Sequence, residues 1–251
     1  MTQCPDNFPA PLICLEETDS TSQALATLCN EQSPEELTTV IAQFQTAGKG
    51  QRGNSWESEK DKNLLFSFVL YPTFLEARRQ FLLSQIISLA VKEELDQHTG
   101  DISIKWPNDI YWKDKKICGM LIENDLTGMY INRSIAGIGI NINQEAFSGS
   151  APNPVSLKQI TGQEYDRMEI LAHIIERVKE YYNILQQGDA NAIAQRYRKA
   201  LFRKEGMHPY RDSRGQFKAM IVNVEADGHL VLQDKSDRIL RYVFKEVQYV
   251  L

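Results

Sequence analysis

Residues 105–123 read KWPNDIYWKDKKICGMLIE, and this stretch decides the fold because charged residues join short apolar runs. ISIKW (102–106) and DIYW (109–112) have the composition of strands, and Pro107 ends the first of them. The KDKK turn then leads into ICGMLIE, so residues 109–112 and 116–123 are expected to pair as a hairpin.

This hairpin places Asp109 and Lys116 near the same edge of the sheet, with Asn108 emerging where the chain turns. One interpretation is a surface turn with a structural ion pair. The alternative is a ligand site, which the density of polar residues between apolar flanks favours because burying unpaired charge is costly. Gly119 permits close approach of a ligand or another backbone. Of the two adjacent lysines, Lys116 is expected at the site and Lys115 in solvent.

Other apolar runs predict further strands. They are TTVIAQFQ (38–45), NLLFSFVLY (63–71) and MYINRSIAGIGININ (129–143), the last with a glycine-kinked end. A lone GxG is a weak signal, so a tight bend is the better interpretation of Gly137 and Gly139.

Helical periodicity appears in four places. Ser20 and Gln23 fit a capping box at the start of one helix, and Gly100 is expected to terminate a second, which runs from residue 74. Residues 166–188 and 191–201 are two further amphipathic helices. Strands and helices thus intermix with hairpin connections, which favours an α+β fold with a mixed, largely antiparallel sheet backed by helices.

The sequence pattern changes after Lys204, from long helices and strands to short strands. Turn signals SRGQ, ADGH and KSDR separate four or five short strands in the last 47 residues, which suggests a small barrel or sandwich. We therefore expect a catalytic or ligand-binding domain over 1–204 and a small β domain over 205–251.

Composition excludes several classes of protein. A net charge of −5 over 251 residues argues against a general nucleic-acid binder and leaves a local basic site open. Its four cysteines form no CxxC pair and have no histidine at zinc-ligand spacing, so reduced cysteines are expected rather than a metal site or disulfides. The N-terminus lacks a signal-peptide pattern and no run is long enough to span a bilayer, so a cytoplasmic protein is expected.

The loop over residues 47–53, AGKGQRG, has three glycines whose N–H groups suit an anion, and Lys49 and Arg52 add positive charge. It is neither a P-loop nor a dinucleotide fingerprint. Taken alone, a flexible solvated loop is the preferred interpretation. With Lys105 and Lys116 included, the four cations suit a reaction between two anions, such as a carboxylate and the α-phosphate of ATP. Phosphoryl and glycosyl transfer stay open.

Four ordered segments resemble the signatures of biotin–protein ligases. They are DSTSQ (19–23), AQFQTAGKGQRGNSW (42–56), KWPNDIYWKDKKICGMLIE (105–123) and GIGININ (137–143). The family pattern is DSTN, QxxGRGRxGRxW, KWPND with KxxGxLxE, and GxGxNxN. The resemblance implies the biotin–lipoate ligase catalytic fold, which is like that of class II aminoacyl-tRNA synthetases, with a C-terminal SH3-like barrel.

The resemblance also implies the reaction and its partners. Biotin and ATP, with Mg²⁺ carried on the ATP phosphates, give biotinyl-5′-AMP and pyrophosphate. Biotin then passes to a lysine of a biotin carboxyl carrier domain of a carboxylase or decarboxylase. Motifs that begin within the first twenty residues leave no room for the DNA-binding repressor domain of one family branch, so no DNA partner is expected. No membrane partner is expected either, and related enzymes imply a monomer or homodimer.

Residue roles follow from the same match. The catalytic residues implied are Lys116, Asp109, Lys49 and Arg52. The biotin-binding residues implied are Ser20, Thr21, Ser22, Gln45, Gly48, Lys49, Gly50, Gln51, Lys116, Gly119 and Leu121. The ATP- and adenylate-binding residues implied are Arg52, Trp56, Lys105, Asn108 and Asn141.

This chain departs from the family pattern at several positions. Lys49, Gln51 and Asn54 replace three arginines, and Ser22 replaces the asparagine of DSTN. Closure of the loop over the intermediate is therefore expected to depend on Arg52 and loop packing, and Gln51→Arg should change intermediate release and the KM for biotin.

Two alternatives stay open at this point. One is a lipoate or octanoate ligase or transferase of the same fold, although such enzymes lack KWPND. The other is a non-catalytic biotin-binding regulator, against which the presence of Lys116 and Asp109 argues.

Overall fold

The computed structural model describes residues 4–5, 7–50, 55–149 and 153–250 and contains two β-sheets. The larger sheet has seven strands in the order β1-β2-β3-β7-β6-β5-β4, and every neighbouring pair except β1–β2 is antiparallel. Its strands are β1 (Leu12–Thr18), β2 (Thr39–Gln45), β3 (Leu64–Leu70), β4 (Ile102–Lys105), β5 (Asp109–Trp112), β6 (Lys115–Thr127) and β7 (Tyr130–Ile140). The predicted mixed, largely antiparallel sheet is confirmed.

Helices cover both faces of this sheet. They are α1 (Thr21–Gln32), α2 (Phe81–Leu95), α3 (Leu157–Thr161), α4 (Arg167–Gln186) and α5 (Ala190–Lys199). In the central strand β3, Phe66 and Phe68 face the main core with α2, α4 and α5, whereas Val69 packs with Leu25 and Cys29 of α1 on the other face. Burial on both faces explains the nearly unbroken apolar run of β3.

The predicted hairpin between β5 and β6 forms. Tyr111 of β5 pairs with Lys116 of β6, and a register shift lies between Ile110 and Tyr111. The Trp106–Pro107 peptide bond is cis and lies in the corner between β4 and β5.

The C-terminal strands form a second sheet. They are β8 (His208–Asp212), β9 (Gly215–Val224), β10 (Leu230–Asp234), β11 (Ile239–Tyr242) and β12 (Gln248–Tyr249), in the order β11-β10-β9-β8-β12. Within the described part of the chain, β11 and β12 do not pair with each other, so the sheet stays open and the closed SH3-like barrel is not found. The division into domains at 204/205 falls between the sheets and stays a prediction.

Two local predictions about helix ends are wrong. Ser20 is the N-cap of α1, but its side chain makes no capping bond, and the Gln23 amide oxygen instead accepts from the Lys49 ammonium at 3.3 Å. Helix α2 ends at Leu95 rather than at Gly100, because residues 97 and 98 bond to carbonyls three positions back and tighten the last turn.

The expectation of reduced cysteines fails for one pair. Cys4 and Cys14 form a disulfide with their Cα atoms 5.8 Å apart, because the segment before β1 folds back beside that strand. Cys29 and Cys118 are free, as expected, and both are buried. Of the helices in the described ranges, none is long and apolar enough to cross a membrane.

Candidate active site

A cavity of about 540 Å³ lies where α1, the middle of the large sheet and the β4–β5 corner meet. The C-terminal sheet reaches it through Phe244 and Lys245. Most of the predicted site residues line it. They are Ser20, Thr21, Ser22, Gln45, Lys49, Gly50, Trp56, Lys105, Asn108, Asp109, Lys116, Gly119 and Leu121.

One end of the cavity is a network of hydroxyl and amide groups. The Gln45 side-chain oxygen accepts from the Thr21 backbone N–H at 2.8 Å and from its hydroxyl at 3.1 Å. The Thr21 and Ser22 hydroxyls lie 2.8 and 3.0 Å from the Ser67 hydroxyl. Because the partners hold one another, this end presents fixed donors and acceptors to a polar ligand group.

The floor of the cavity is made of glycines on β6 and β7. A Cβ at Gly137 would lie 2.2 Å from the Ser22 hydroxyl oxygen, and one at Gly139 would lie 2.4 Å from the Trp56 ring. A Cβ at Gly119 would also lie 2.8 Å from that ring. These contacts require glycine, and β7 runs straight through both of its glycines to Ile140, so the predicted strand bend is wrong.

The other end of the cavity is charged. The Lys116 ammonium lies 2.8 Å from the Asp109 carboxylate, and the two side chains are 26% and 28% exposed. The shared sheet edge predicted for this pair is confirmed. Lys115 is exposed, so the two neighbouring lysines divide as expected. The exposure leaves room for the ammonium to meet an incoming anion while the carboxylate holds it in place.

Lys105 is a third cation, and it is more deeply set. Its ammonium donates to the Tyr111 hydroxyl at 3.0 Å and lies 4.5 Å from the centre of the Tyr111 ring. Burial lowers the pKa of Lys105 to about 8; the Asp109 carboxylate opposes this effect and Lys116 adds to it. A bound anion would offset the burial and favour the charged form.

The family of the chain follows from a direct match. A sequence model of the biotin/lipoate A/B protein ligase family matches residues 14–141, just over half of the 251 residues. The chain belongs to this family.

Named ligases are among its relatives. The bifunctional ligase/repressor BirA of Bacillus spizizenii is 32% identical over 180 residues, covering 68% of this chain and 54% of that protein. The biotin–[acetyl-CoA-carboxylase] ligase of Paracoccus denitrificans is 32% identical over 139 residues, covering 53% of this chain and 57% of that protein. The chain thus spans about half the length of these curated relatives.

A solved ligase matches nearly the whole chain. The biotin protein ligase of Aquifex aeolicus, in complex with biotin and ATP, has a TM-score of 0.79 at 27% identity and covers 96% of this chain and 99% of its own. The α+β fold expected from the resemblance is therefore confirmed for this member of the biotin/lipoate ligase family.

Some predicted residues lie elsewhere. Asn141 is buried beside the cavity rather than lining it, and its side-chain nitrogen donates to the Val155 carbonyl at 3.2 Å. Gly48 supports the wall, where its carbonyl accepts from the Trp56 N–H at 2.9 Å. Gln51 and Arg52 fall outside the described residues, so their predicted roles stay predictions.

Sequence reasoning missed several residues of this ligase-family site. Ser67 had a signal, since it is the only polar residue in the run LLFSFVL. Tyr111 looked like an ordinary strand aromatic. Phe244 and Lys245 had no local signal, because they reach the cavity from the turn between β11 and β12, more than 100 residues along the chain.

Proposed function

We propose that the protein is an ATP-dependent, AMP-forming biotin–protein ligase. The observation that carries this proposal is the pairing of Lys116 with Asp109 in a cavity whose opposite end is the fixed hydroxyl network around Gln45. A small polar heterocycle with an acidic tail fits these two ends in one orientation. The family match and the biotin-binding ligases among the similar structures support biotin in this role.

The biotin ring would lie at the hydroxyl end. A ureido group has one carbonyl acceptor and two N–H donors, which Ser20, Thr21, Ser22 and Gln45 can match. The glycine floor and Trp56 would enclose the apolar part of the ligand. Leu121 lies on this face of β6 and adds an apolar contact.

The carboxylate would then meet ATP at the charged end. A carboxylate oxygen attacks the α-phosphorus, the bond from phosphorus to the bridging oxygen breaks, and pyrophosphate leaves. Lys116 neutralises charge on both reacting groups, and Asp109 keeps its ammonium in position. Lys49, Lys105 and Asn108 would contact the phosphates, with Arg52 of the glycine loop added by the family pattern.

Mg²⁺ fits this site as a companion of ATP. Of the lining residues that the structure describes, Asp109 is the only carboxylate, and Lys116 already pairs with it. Mg²⁺ is commonly held by one or two carboxylates together with substrate phosphates. Asp109 and the amide oxygen of Asn108 are the groups that would reach such an ion, which would supply further neutralisation of phosphate charge.

In the second step the amine of a carrier lysine attacks the acyl carbon of biotinyl-5′-AMP, and AMP leaves. The amine must lose a proton, which the Asp109 carboxylate would accept. We infer that the acceptor is a biotin carboxyl carrier domain, in keeping with the carboxylase ligase among the relatives.

Biotin-dependent exchange of labelled pyrophosphate into ATP tests the proposal. Exchange with biotin but not with lipoate or octanoate is the expected result. Exchange with lipoate or octanoate alone would establish the other branch of this family, and no exchange with any acid would favour a non-catalytic biotin-binding protein.

A further inference from the structure

Tyr197 of α5 is a fully buried tyrosine that reaches the edge of the candidate active site. Its side chain is 0% exposed and packs edge-on against Phe81, with the ring centroids 5.6 Å apart. Its hydroxyl donates to the Pro107 carbonyl at 2.6 Å. Burial raises the pKa of Tyr197 well above its ordinary value, so the hydroxyl keeps its proton and acts as a donor.

The accepting carbonyl lies in the tight corner between β4 and β5. Lys105 and Asp109 are the last registered pair of the two strands, so only three residues form the turn. Pro107 has no N–H, which leaves its carbonyl as its one backbone hydrogen-bonding group. The next residue, Asn108, lines the cavity, and Asp109 after it pairs with Lys116.

Residues 197–202, which begin in α5, also form backbone hydrogen bonds with β4, the strand that enters this corner. The Ile104 N–H donates to the Ala200 carbonyl at 2.8 Å, and the Phe202 N–H donates to the Ile104 carbonyl at 2.8 Å. Residues 197–202 therefore hold the backbone at both Ile104 and Pro107. These two attachment points flank Lys105 and fix the direction in which the chain leaves the corner.

We propose that Tyr197 is a positioning residue for adenylation, whose hydroxyl holds the Pro107 carbonyl and thereby aims Asn108 and Asp109 at the groups reacting beside Lys116. The inference rests on the proposed ligase function. Reacting groups need placement within about 0.5 Å, so the loss of one hydrogen bond at this corner affects the rate more than the binding of biotin. Tyr197 lies outside the segment that matches the family model.

Tyr197→Phe tests this role because it removes the hydroxyl and keeps the ring against Phe81. We expect kcat for pyrophosphate exchange to fall about tenfold, as for the loss of one well-placed hydrogen bond, with the KM for biotin unchanged. Tyr181→Phe is the matched control. The Tyr181 side chain is also buried, and its hydroxyl donates to the Glu93 carboxylate between α4 and α2 and accepts from Arg196, away from the cavity. Tyr181→Phe should lower the melting temperature about as much as Tyr197→Phe does, and it should leave kcat near that of the unaltered chain.

A rescue variant separates positioning from folding. Replacing Tyr197 with 4-aminophenylalanine restores a donor at the same place and should recover most of kcat; if this variant loses as much activity as Tyr197→Phe, the proposal fails. If Tyr197→Phe does not fold, the 4-aminophenylalanine variant provides the test instead. An unchanged kcat in Tyr197→Phe, or equal losses of kcat in Tyr197→Phe and Tyr181→Phe, would overturn this inference alone. An unaltered chain without biotin-dependent exchange would overturn the proposed function and this inference together.

Discussion

The affinity of the site for ATP should depend on pH through Lys105. With a pKa of about 8, this side chain is about 90% protonated at pH 7 and about 10% protonated at pH 9 in the unliganded protein. Bound phosphates stabilise the charged form of Lys105, so it stays protonated in the complex. The apparent dissociation constant for ATP should therefore rise about tenfold from pH 7 to pH 9, with most of the rise above pH 8.

The assay is calorimetric titration of the biotin-loaded protein with a non-hydrolysable ATP analogue at several pH values. Phosphate ionises near pH 6, below this window, so the ligand keeps its charge. Lys105→Arg should bind with no inflection near pH 8, because a guanidinium stays charged. Lys105→Met should bind weakly at every pH. An inflection of the same size in either variant would show that another group titrates and would refute the assignment.

The lowered pKa also has a consequence for stability. The folded chain releases the Lys105 proton at a lower pH than the unfolded chain, so the charged form opposes folding below about pH 8. Lys105→Met should raise the free energy of unfolding at pH 7. The gain should shrink as the pH rises through about 8 toward the ordinary lysine value.

Three other perturbations test separate parts of the site and fold. Gly139→Ala places a Cβ 2.4 Å from the Trp56 ring and should raise the KM for biotin at least about tenfold, whereas Gly100→Ala, whose Cβ meets nothing within 4 Å, should not. Equal values for the two variants would contradict the glycine floor. Lys116→Ala should abolish exchange with the circular dichroism unchanged, and Lys115→Ala should retain it; near-normal exchange in the first would remove Lys116 from its role. Reducing the Cys4–Cys14 disulfide, which spans a sequence separation of 10, should lower stability by about 2 to 3 kcal/mol in denaturant titrations. An unchanged midpoint with reductant would show that the bond does not constrain the unfolded chain.

The parts of the fold that could be predicted from the sequence are those set by local patterns. The β5–β6 hairpin followed from apolar runs around a charged turn, and the meeting of Asp109 with Lys116 followed from the hairpin. The Ser20 capping box and the Gly100 helix end are local signals too, but Gln23 bonds to Lys49 instead of the cap, and the last turn of α2 tightens before Gly100 is reached. Short capping patterns contribute only about 1 kcal/mol, which neighbouring contacts easily exceed.

The parts that could not be predicted depend on contacts between distant segments. Phe244 and Lys245 enter the cavity from the turn between β11 and β12, and Tyr197 reaches Pro107 from 90 residues away. No periodicity in either segment encodes its partner. Gly137 and Gly139 of β7 form a GxG pattern that is visible in the sequence. The reason why glycine is required at these positions is visible only in the structure, where Ser22 and Trp56 pack against them.

Identification of the bound product tests the central claim most directly. The protein is incubated with biotin and ATP and is separated from unbound ligand by gel filtration. It is then denatured, and the small molecules that it releases are identified and quantified by mass spectrometry. The account predicts biotinyl-5′-AMP at close to one molecule per chain, and none from Lys116→Ala. Recovery of unreacted biotin with intact ATP, or of a lipoyl adenylate from a mixture of both acids, would contradict it.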